Sequence, residues 1–286
     1  MNVDNRLKQI EEFWNDNLCG QHFISAKYPS KEFFEQYRKL RYKKEHHLNE
    51  IIDWESAKNK DVLEIGLGIG ADGTRWAGHA NSYTGIDITD ESVAAANSHL
   101  RILGLKGNIL KGNAESLPFE DNKFDIVYSH GVLHHTPDIK KALKEIYRVL
   151  RPDGEFILML YTKDSFNYWL RIQLYFRLRF IFELFKNYFG LNISEPWKSH
   201  IKTLKNDGWS YFSWNKWYHH CTDGPGCEIA NIYHKHEIIK MLKKKGFVVS
   251  KMRKAHFPIT GGYYPYIESL LAKYIGFYYF VWAIKV

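Results

Sequence analysis

Cysteine is scarce in this 286-residue sequence, and its positions exclude one class of fold. The three cysteines, Cys19, Cys221 and Cys227, are too few and too scattered for a disulfide framework, and an odd number favours a reducing compartment. Cys221 and Cys227 follow two histidines closely, which raises the question of zinc. Structural zinc sites usually need two closely spaced ligand pairs, and the sequence has no second cysteine pair. We therefore predict no metal site.

Long apolar runs are also missing. The sequence has no uncharged apolar stretch of the ~18 residues that a transmembrane helix needs. Its first residues are polar and lack the apolar region of a signal peptide. Apolar residues make up 45% of the chain and charged residues 25%, which is ordinary globular composition. These features predict a cytoplasmic protein without a transmembrane segment, built from one or two domains.

Negative charge is scarce in the second half of the chain. Residues 162–286 hold 19 Lys or Arg against 8 Asp or Glu, whereas residues 1–161 hold 21 against 24. This asymmetry is compatible with an anionic partner and equally with an ordinary solvated surface.

Strands and helices alternate through the middle of the sequence. Short apolar runs followed by turn residues predict five strands, and residues 139–150 carry apolar side chains at helical spacing. Strand, helix, strand repeated in this way predicts an α/β fold whose mostly parallel sheet has helices on both faces. The predicted strands are 61–66, 82–88, 108–111, 124–129 and 155–160.

The flanking segments have other patterns. Residues 1–57 predict an N-terminal helical cap, and residues 231–286 predict a helix and strands that complete the sheet. Residues 163–230 interrupt the repetition as an aromatic-rich helical insertion after the fifth strand, with 194–230 predicted to be irregular. Within it, residues 165–190 mix aromatic and basic side chains without a clean polar face. We therefore expect this segment to be buried as a lid over an acceptor, although peripheral membrane contact stays open.

The most informative motif is the glycine-rich run that begins at Glu64 and contains Gly66, Gly68 and Gly70. Glycines after a first strand let the backbone pass close to a ligand and present free amides at a helix N-terminus. A tight turn without a ligand is the alternative. The spacing is G-x-G-x-G, which differs from the G-x-G-x-x-G of dinucleotide folds.

Four further segments follow this motif in order: Asp87 at the end of the second strand, then 112–119, 124–138 and 150–154. Together the five segments resemble the class I S-adenosylmethionine-dependent methyltransferases, in the broad type 11 group that includes quinone-pathway and natural-product enzymes. The resemblance covers residues 58–162. It implies a Rossmann-like, doubly wound sheet and S-adenosylmethionine as the cofactor.

The resemblance also implies which residues hold the cofactor. The Asp87 carboxylate would accept both ribose hydroxyls, and Asn113, where many relatives have Asp, would bond adenine. The N-terminal helix would close over the cofactor so that Arg41 or Tyr42 meets the methionine carboxylate, unless it only packs on the sheet edge. The predicted set is Glu64, Gly66, Gly68, Gly70, Asp87, Ile88, Asn113, Ala114, Glu115, Ser129, His130, Arg41 and Tyr42.

Two groups of side chains are candidates for the acceptor side. His134 and His135 follow the fourth strand and have a suitable intrinsic pKa for a catalytic base, although a capping role in that loop is the alternative. Tyr218, His219 and His220 in the insertion are predicted to bind the substrate, with simple packing as the alternative.

The predicted reaction is an in-line displacement at a sulfonium methyl group by a small-molecule or lipid-like acceptor, partly apolar and with a place for negative charge. Nucleic acid is disfavoured because the sequence has no Asn/Asp-Pro-Pro-Tyr/Phe motif for exocyclic amines and no Pro-Cys pair for cytosine. An RNA methyltransferase and a non-catalytic cofactor-binding scaffold remain as alternatives. The sequence does not address the oligomeric state.

Overall fold

The computed structural model describes residues 3–18, 20–224, 227, 229–257 and 264–286, so Cys19 lies outside the described residues. Within them, seven strands form one sheet. The strands are β1 Asp61–Ile65, β2 Ser82–Asp87, β3 Asn108–Lys111, β4 Phe124–His130, β5 Leu150–Tyr161, β6 Phe247–Ala255 and β7 Tyr278–Lys285.

The order of strands across the sheet is β3-β2-β1-β4-β5-β7-β6. Strands β1 to β5 pair in parallel, whereas β7 is antiparallel to both β5 and β6. This confirms the predicted Rossmann-like, mostly parallel α/β sheet. The strand order reverses between β1 and β4, and ligands of such sheets bind at the carboxyl ends of the strands beside that reversal.

Twelve α-helices are present among the described residues, together with a π-helix at Asn167–Tyr175 and short 3-10 turns at Gln21–Phe23, Trp54–Ala57, Leu133–His135 and Gly208–Phe212. The α-helices are α1 Val3–Asp16, α2 Lys31–Lys44, α3 Leu48–Ile51, α4 Ala71–His79, α5 Asp90–Ile102, α6 Ile139–Val149, α7 Phe176–Tyr188, α8 Glu195–Asp207, α9 Trp214–Trp217, α10 His219–Thr222, α11 Lys235–Lys243 and α12 Pro265–Ile275.

Local sequence signals explain where three of the helices begin. Ser30, Thr89 and Asp138 cap α2, α5 and α6, because each side chain accepts a hydrogen bond from a free backbone amide of the first turn. The apolar stripe of α6 is buried along its whole length against the sheet. Burial of that stripe fixes the position of the β4–β5 connection and therefore of the loop that follows β4.

Strand β5 begins at Leu150, earlier than the predicted residue 155. Leu150 pairs with Phe124, and Glu155 then pairs with Ile126, so the turn residues between them form an irregularity within the strand. The turn residues 151–154 predicted the start of the strand, but in the structure they form an irregularity inside the β4–β5 pairing.

The prediction that residues 194–230 are irregular was wrong. Helix α8 occupies much of that range, and Trp197, His200, Ile201 and Leu204 are spaced as one helix face, of which His200 and Ile201 are buried. Helix α12 was also missed. In both helices a proline stands in the first turn, which is a usual starting signal.

The expectation that residues 165–190 are buried was wrong for one side of the segment. Ile172 and Phe180 are buried, but Leu178 and Phe185 are more than half exposed. The side that faces the protein carries a charged group as well as apolar ones, because the Glu183 carboxylate is fully buried there and paired with Arg179. None of the described helices is both long enough and apolar enough to cross a membrane.

Candidate functional site

A cavity lies where the carboxyl ends of β1, β2 and β4 meet α1 and α2. The loops after these strands form its floor, and α1 covers it with Leu7, Ile10 and Trp14. Ten of the residues predicted from the sequence line this cavity: Arg41, Glu64, Gly66, Gly68, Asp87, Ile88, Asn113, Ala114, His130 and His135. The topology thus brings together segments that are far apart in the chain.

The three glycines after β1 serve different purposes. A Cβ added at Gly66 would lie 2.1 Å from Val132, and one at Gly70 would lie 3.0 Å from Ala96, so both glycines permit close packing. A Cβ added at Gly68 would meet no atom within 4 Å, although the backbone there has a φ of +53°. Protein packing therefore does not explain Gly68, whose open side faces the cavity.

Asp87 stands at the end of β2 with most of its hydrogen-bonding capacity in use. One carboxylate oxygen accepts hydrogen bonds from the backbone amide (3.1 Å) and the hydroxyl (2.9 Å) of Thr89. The other oxygen accepts a hydrogen bond from the backbone amide of Gly68 (3.0 Å). Burial raises the pKa of Asp87, and these hydrogen bonds oppose part of that rise. The Ser92 hydroxyl is a fourth donor to this carboxylate, which offers about four acceptor positions, so a ribose hydroxyl would have to replace one of these partners.

A buried charge cluster forms one side of the cavity. The Arg41 guanidinium donates to both oxygens of Asp72, at 3.3 and 2.6 Å, and also contacts Glu45 and the Nδ1 of His130. Burial raises the pKa of Asp72, but Arg41 and His130 outweigh it and hold the pKa well below its ordinary value. Glu64, which accepts from Tyr83, has a pKa raised well above normal by burial and by the nearby Asp72 carboxylate.

This arrangement bears on the predicted role of Arg41. Its guanidinium is paired within the protein, so a methionine carboxylate would have to compete with Asp72 and Glu45. Tyr42 does not line the cavity; its hydroxyl donates to Ala71 and Asp72. Both residues hold α2 against the start of α4.

Three other residues of the predicted set also lie outside the cavity wall. Gly70 packs against α5, as described above. The Ser129 hydroxyl donates to the carbonyl of Ile65 at 3.3 Å, and the Glu115 carboxylate accepts the amide of Asp138 at 2.8 Å. The structure gives Ser129 and Glu115 contacts that hold the strands and loops behind the cavity.

The two adjacent histidines have different surroundings. His135 lines the cavity, with its Nδ1 2.5 Å from the carbonyl of Ile229 and its Nε2 3.6 Å from the Asp223 carboxylate. His134 does not line it; the ring is fully buried against Tyr161, and neither nitrogen has a hydrogen-bond partner among the described residues. Burial, with help from His135, lowers the pKa of His134 well below normal.

His135 also belongs to a group with metal-ligand character. Its ring, the Asp223 carboxylate and the Cys227 thiol each place one ligand atom within 4.8 Å of the others. Zinc sites use three or four such ligands. The prediction of no metal site therefore stays a prediction.

The insertion residues predicted to bind the substrate do not line the cavity. Tyr218 is buried beside Tyr168, and the Nδ1 of His219 accepts the amide of Ala230 at 2.9 Å. The ring of His220 lies 5.0 Å from that of Tyr211. Among the described residues, the insertion reaches His135 instead through Asp223, Cys227 and Ile229.

Sequence reasoning missed the contribution of α1. Leu7, Ile10 and Trp14 recur at helical spacing, which identified an amphipathic helix but not the surface that it covers. In the structure Trp14 contacts the ring of His135 edge-on, at 5.2 Å. The ion pairs of Lys111 with Glu11 and Asp90 hold α1 beside the strand ends.

Comparisons with known proteins agree with this geometry. A family model described as a methyltransferase domain matches residues 63–158. The uncharacterized methyltransferase YcgJ of Bacillus subtilis is 38% identical over 99 residues, which cover 34% of this chain and 39% of YcgJ. A sterol 4-C-methyltransferase of Caenorhabditis elegans is 30% identical over 159 residues, covering 54% of this chain and 45% of that enzyme.

A third relative is the ubiquinone/menaquinone biosynthesis C-methyltransferase UbiE of Psychromonas ingrahamii, 36% identical over 115 residues that cover 38% of this chain and 46% of UbiE. The chain thus spans less than half the length of each of these relatives.

Solved structures show the same fold at low identity. The crystal structure of YcgJ matches with a TM-score of 0.51 and 20% identity, covering 84% of this chain and 98% of that one. A methyltransferase from Methanosarcina mazei matches with a TM-score of 0.53 and 19% identity, covering 84% and 96%. The family model identifies residues 63–158 as a methyltransferase domain, and the shared fold supports a class I S-adenosylmethionine-dependent methyltransferase of type 11.

Proposed function

We propose that the chain transfers the methyl group of S-adenosylmethionine to a small, partly apolar acceptor that reaches the cavity beside His135. The observation that carries this proposal is the meeting of Gly68, Asp87 and His135 in one cavity. Gly68 leaves open space that no protein atom fills, and the Asp87 carboxylate, which accepts the Gly68 amide, lines the same cavity. These residues fit the cofactor of the family.

The residues of the cavity have separate tasks in this proposal. S-adenosylmethionine, when bound, would supply an electrophilic methyl group: the acceptor would bond to the methyl carbon in line with the breaking carbon–sulfur bond, and the neutral thioether that leaves needs no acid. Gly68 admits the cofactor, Asp87 accepts a ribose hydroxyl, and Asn113 bonds the adenine. Alignment of acceptor and methyl group then provides most of the rate acceleration.

In this proposal, His135 takes a proton from the acceptor. Its Nδ1 donates to the Ile229 carbonyl, which leaves the lone pair of the neutral ring on Nε2. When Nε2 accepts the proton, the ring becomes cationic 3.6 Å from the Asp223 carboxylate, which also accepts the hydroxyl of Tyr161 at 3.0 Å. Asp223 would therefore stabilise the protonated ring by its charge, while the Ile229 carbonyl holds the orientation of the ring through Nδ1.

The walls of the cavity indicate the class of acceptor. Leu7, Ile10, Trp14 and Val132 give it an apolar side. Among the relatives are enzymes named for carbon methylation of sterols and for quinone biosynthesis, which have apolar acceptors. The basic second half of the chain would favour an acceptor with an anionic group. We further propose a cytoplasmic location, in line with the odd number of cysteines.

The test is transfer of a labelled methyl group from S-adenosylmethionine to a cell extract, with label counted separately in organic-soluble material and in RNA. We expect label in the organic-soluble fraction. His135→Gln should lower transfer by about 10²–10⁴-fold with unchanged affinity for the cofactor product, since it removes only the base. His134→Gln is the matched control, because His134 does not line the cavity.

Two outcomes would replace the proposal. Label found mainly in RNA, with salt-dependent RNA binding, would make the chain an RNA methyltransferase. Cofactor binding without transfer to either fraction would make it a non-catalytic scaffold. Equal transfer by the His135→Gln and His134→Gln variants would remove His135 as the base.

A further inference from the structure

The outer face of the insertion is unusually apolar. The π-helix and α7 follow each other without a break, and large apolar side chains recur along one side at helical spacing. Each of them is 46–59% exposed. We refer to this set as the apolar face; it consists of Leu170, Leu174, Leu178, Ile181, Phe182 and Phe185.

The orientation of α7 is fixed by what lies on its other side. Phe180 is fully buried among aromatic rings, including that of Trp217 at 5.6 Å. The Glu183 carboxylate is fully buried and lies 2.7 Å from Arg179 and 3.0 Å from Lys186. Turning the helix to hide the apolar face would break these ion pairs at a high cost. Exposed apolar patches of this kind mark interaction sites.

A second helix has the same character. In α12, Glu268 and Ala272 face the protein, whereas Tyr266, Ile267 and Tyr274 are 51–81% exposed. The ammonium group of Lys254 donates to the carbonyls of Tyr274 and Asp164, and so joins the end of α12 to the start of the insertion. The end of α12 therefore lies beside the residues that lead into the π-helix.

The charge around these helices identifies the partner. Residues 163–216 hold nine Lys or Arg and four Asp or Glu; without the buried Glu183 and its partners Arg179 and Lys186, seven cations remain against three anions. Arg171, at the edge of the apolar face, is exposed. Two copies of this chain would bring like charges together, whereas an anionic bilayer would neutralise them. Aromatic and aliphatic side chains flanked by Arg and Lys are suited to the boundary between lipid headgroups and acyl chains.

We propose that the apolar face and α12 form a docking surface for an anionic phospholipid bilayer, on which the protein lies without crossing it. The proposal does not depend on the methyl-transfer reaction, because none of these residues lines the cofactor cavity. Its consequence is that the chain meets apolar acceptors where they are dissolved, in the membrane.

The experiment is flotation of the purified full chain with vesicles, without cofactor. Vesicles of phosphatidylcholine with about one quarter phosphatidylglycerol should carry the protein at low salt, and pure phosphatidylcholine should bind it at least about tenfold more weakly. The triple variant Leu178→Ser, Phe182→Ser, Phe185→Ser should lose about tenfold or more of the binding. Val248→Ser, at a half-exposed apolar side chain outside both helices, is the control and should bind normally.

A second variant covers the case in which the triple variant does not fold. Arg171→Gln keeps the apolar face and should weaken binding to the anionic vesicles about fivefold, with little effect on neutral ones. Absence of wild-type binding to anionic vesicles, or equal binding by all variants, would overturn the proposal. So would a dimer in sedimentation velocity that the triple variant converts to a monomer, since a second copy would then occupy the surface. Calorimetry with S-adenosylhomocysteine reports separately on the cofactor site.

Discussion

Gly68 offers a sharp test of the cofactor site, because the chain contains a glycine that matches it in all but position. Gly104 also has a positive φ, +67° against +53° for Gly68, and an added Cβ would meet no atom within 4 Å at either residue. An alanine should therefore cost similar backbone strain at both positions, about 1–2 kcal/mol. Only Gly68 lines the cavity.

The two substitutions should therefore separate stability from binding. A methyl group in a space that the ligand fills costs about 1–3 kcal/mol, so Gly68→Ala should weaken S-adenosylhomocysteine binding roughly five- to 150-fold. Gly104→Ala should leave affinity unchanged. Urea unfolding measures the strain and titration calorimetry measures the affinity. Equal affinities in the two variants would show that Gly68 serves only the turn.

Three further predictions concern single side chains. Asp87→Asn should weaken cofactor binding by about 1.5–3 kcal/mol, because an amide cannot accept as a carboxylate does, whereas the exposed Asp90→Asn should not; calorimetry compares them. Arg41→Ala should lower the free energy of unfolding, measured with urea, by about 3–5 kcal/mol because it leaves buried carboxylates unpaired. Arg151→Ala, which removes a more exposed ion pair, should lower it by at most about 1 kcal/mol. Burial lowers the pKa of His99 from 6.5 to about 4, so the stability that neutral His99 contributes is full above pH 6.5 and about 3 kcal/mol of it is lost as the pH falls towards 4. His99→Gln should flatten that part of the dependence of unfolding free energy on pH, and an unchanged slope would contradict the assignment.

The cofactor side of the site was accessible to sequence reasoning because its signals are local. A glycine run after a strand and an acidic residue at the end of the next strand each specify a backbone geometry, and the parallel sheet brings such strand ends together. Nine of the thirteen residues predicted to hold the cofactor accordingly line the cavity. Gly70, by contrast, is explained by packing against Ala96, a contact between two helices that no pattern within the motif reveals.

The contacts of the insertion were not accessible in the same way. The sequence predicted a helical insertion but not which side of residues 165–190 faces the protein, since apolar side chains lie nearly all round the helix. The inward side is set by Glu183, which pairs with Arg179 four residues before it and Lys186 three residues after it. The same spacing also occurs in exposed ion pairs, such as that of Glu195 with Lys198. Only burial distinguishes the two cases, and burial depends on tertiary packing.

The contact between the insertion and the cavity also depends on tertiary packing. Sequence order suggested that Tyr218 and His219 would reach the active site, because they stand out as polar aromatic residues. In the structure they pack within the insertion, and Asp223, a few residues later, lies 3.6 Å from His135. A carboxylate in a loop has no pattern that marks it as the partner of a distant histidine. The insertion would therefore act on the reaction through the charge of Asp223, while its apolar face is left free to bind elsewhere.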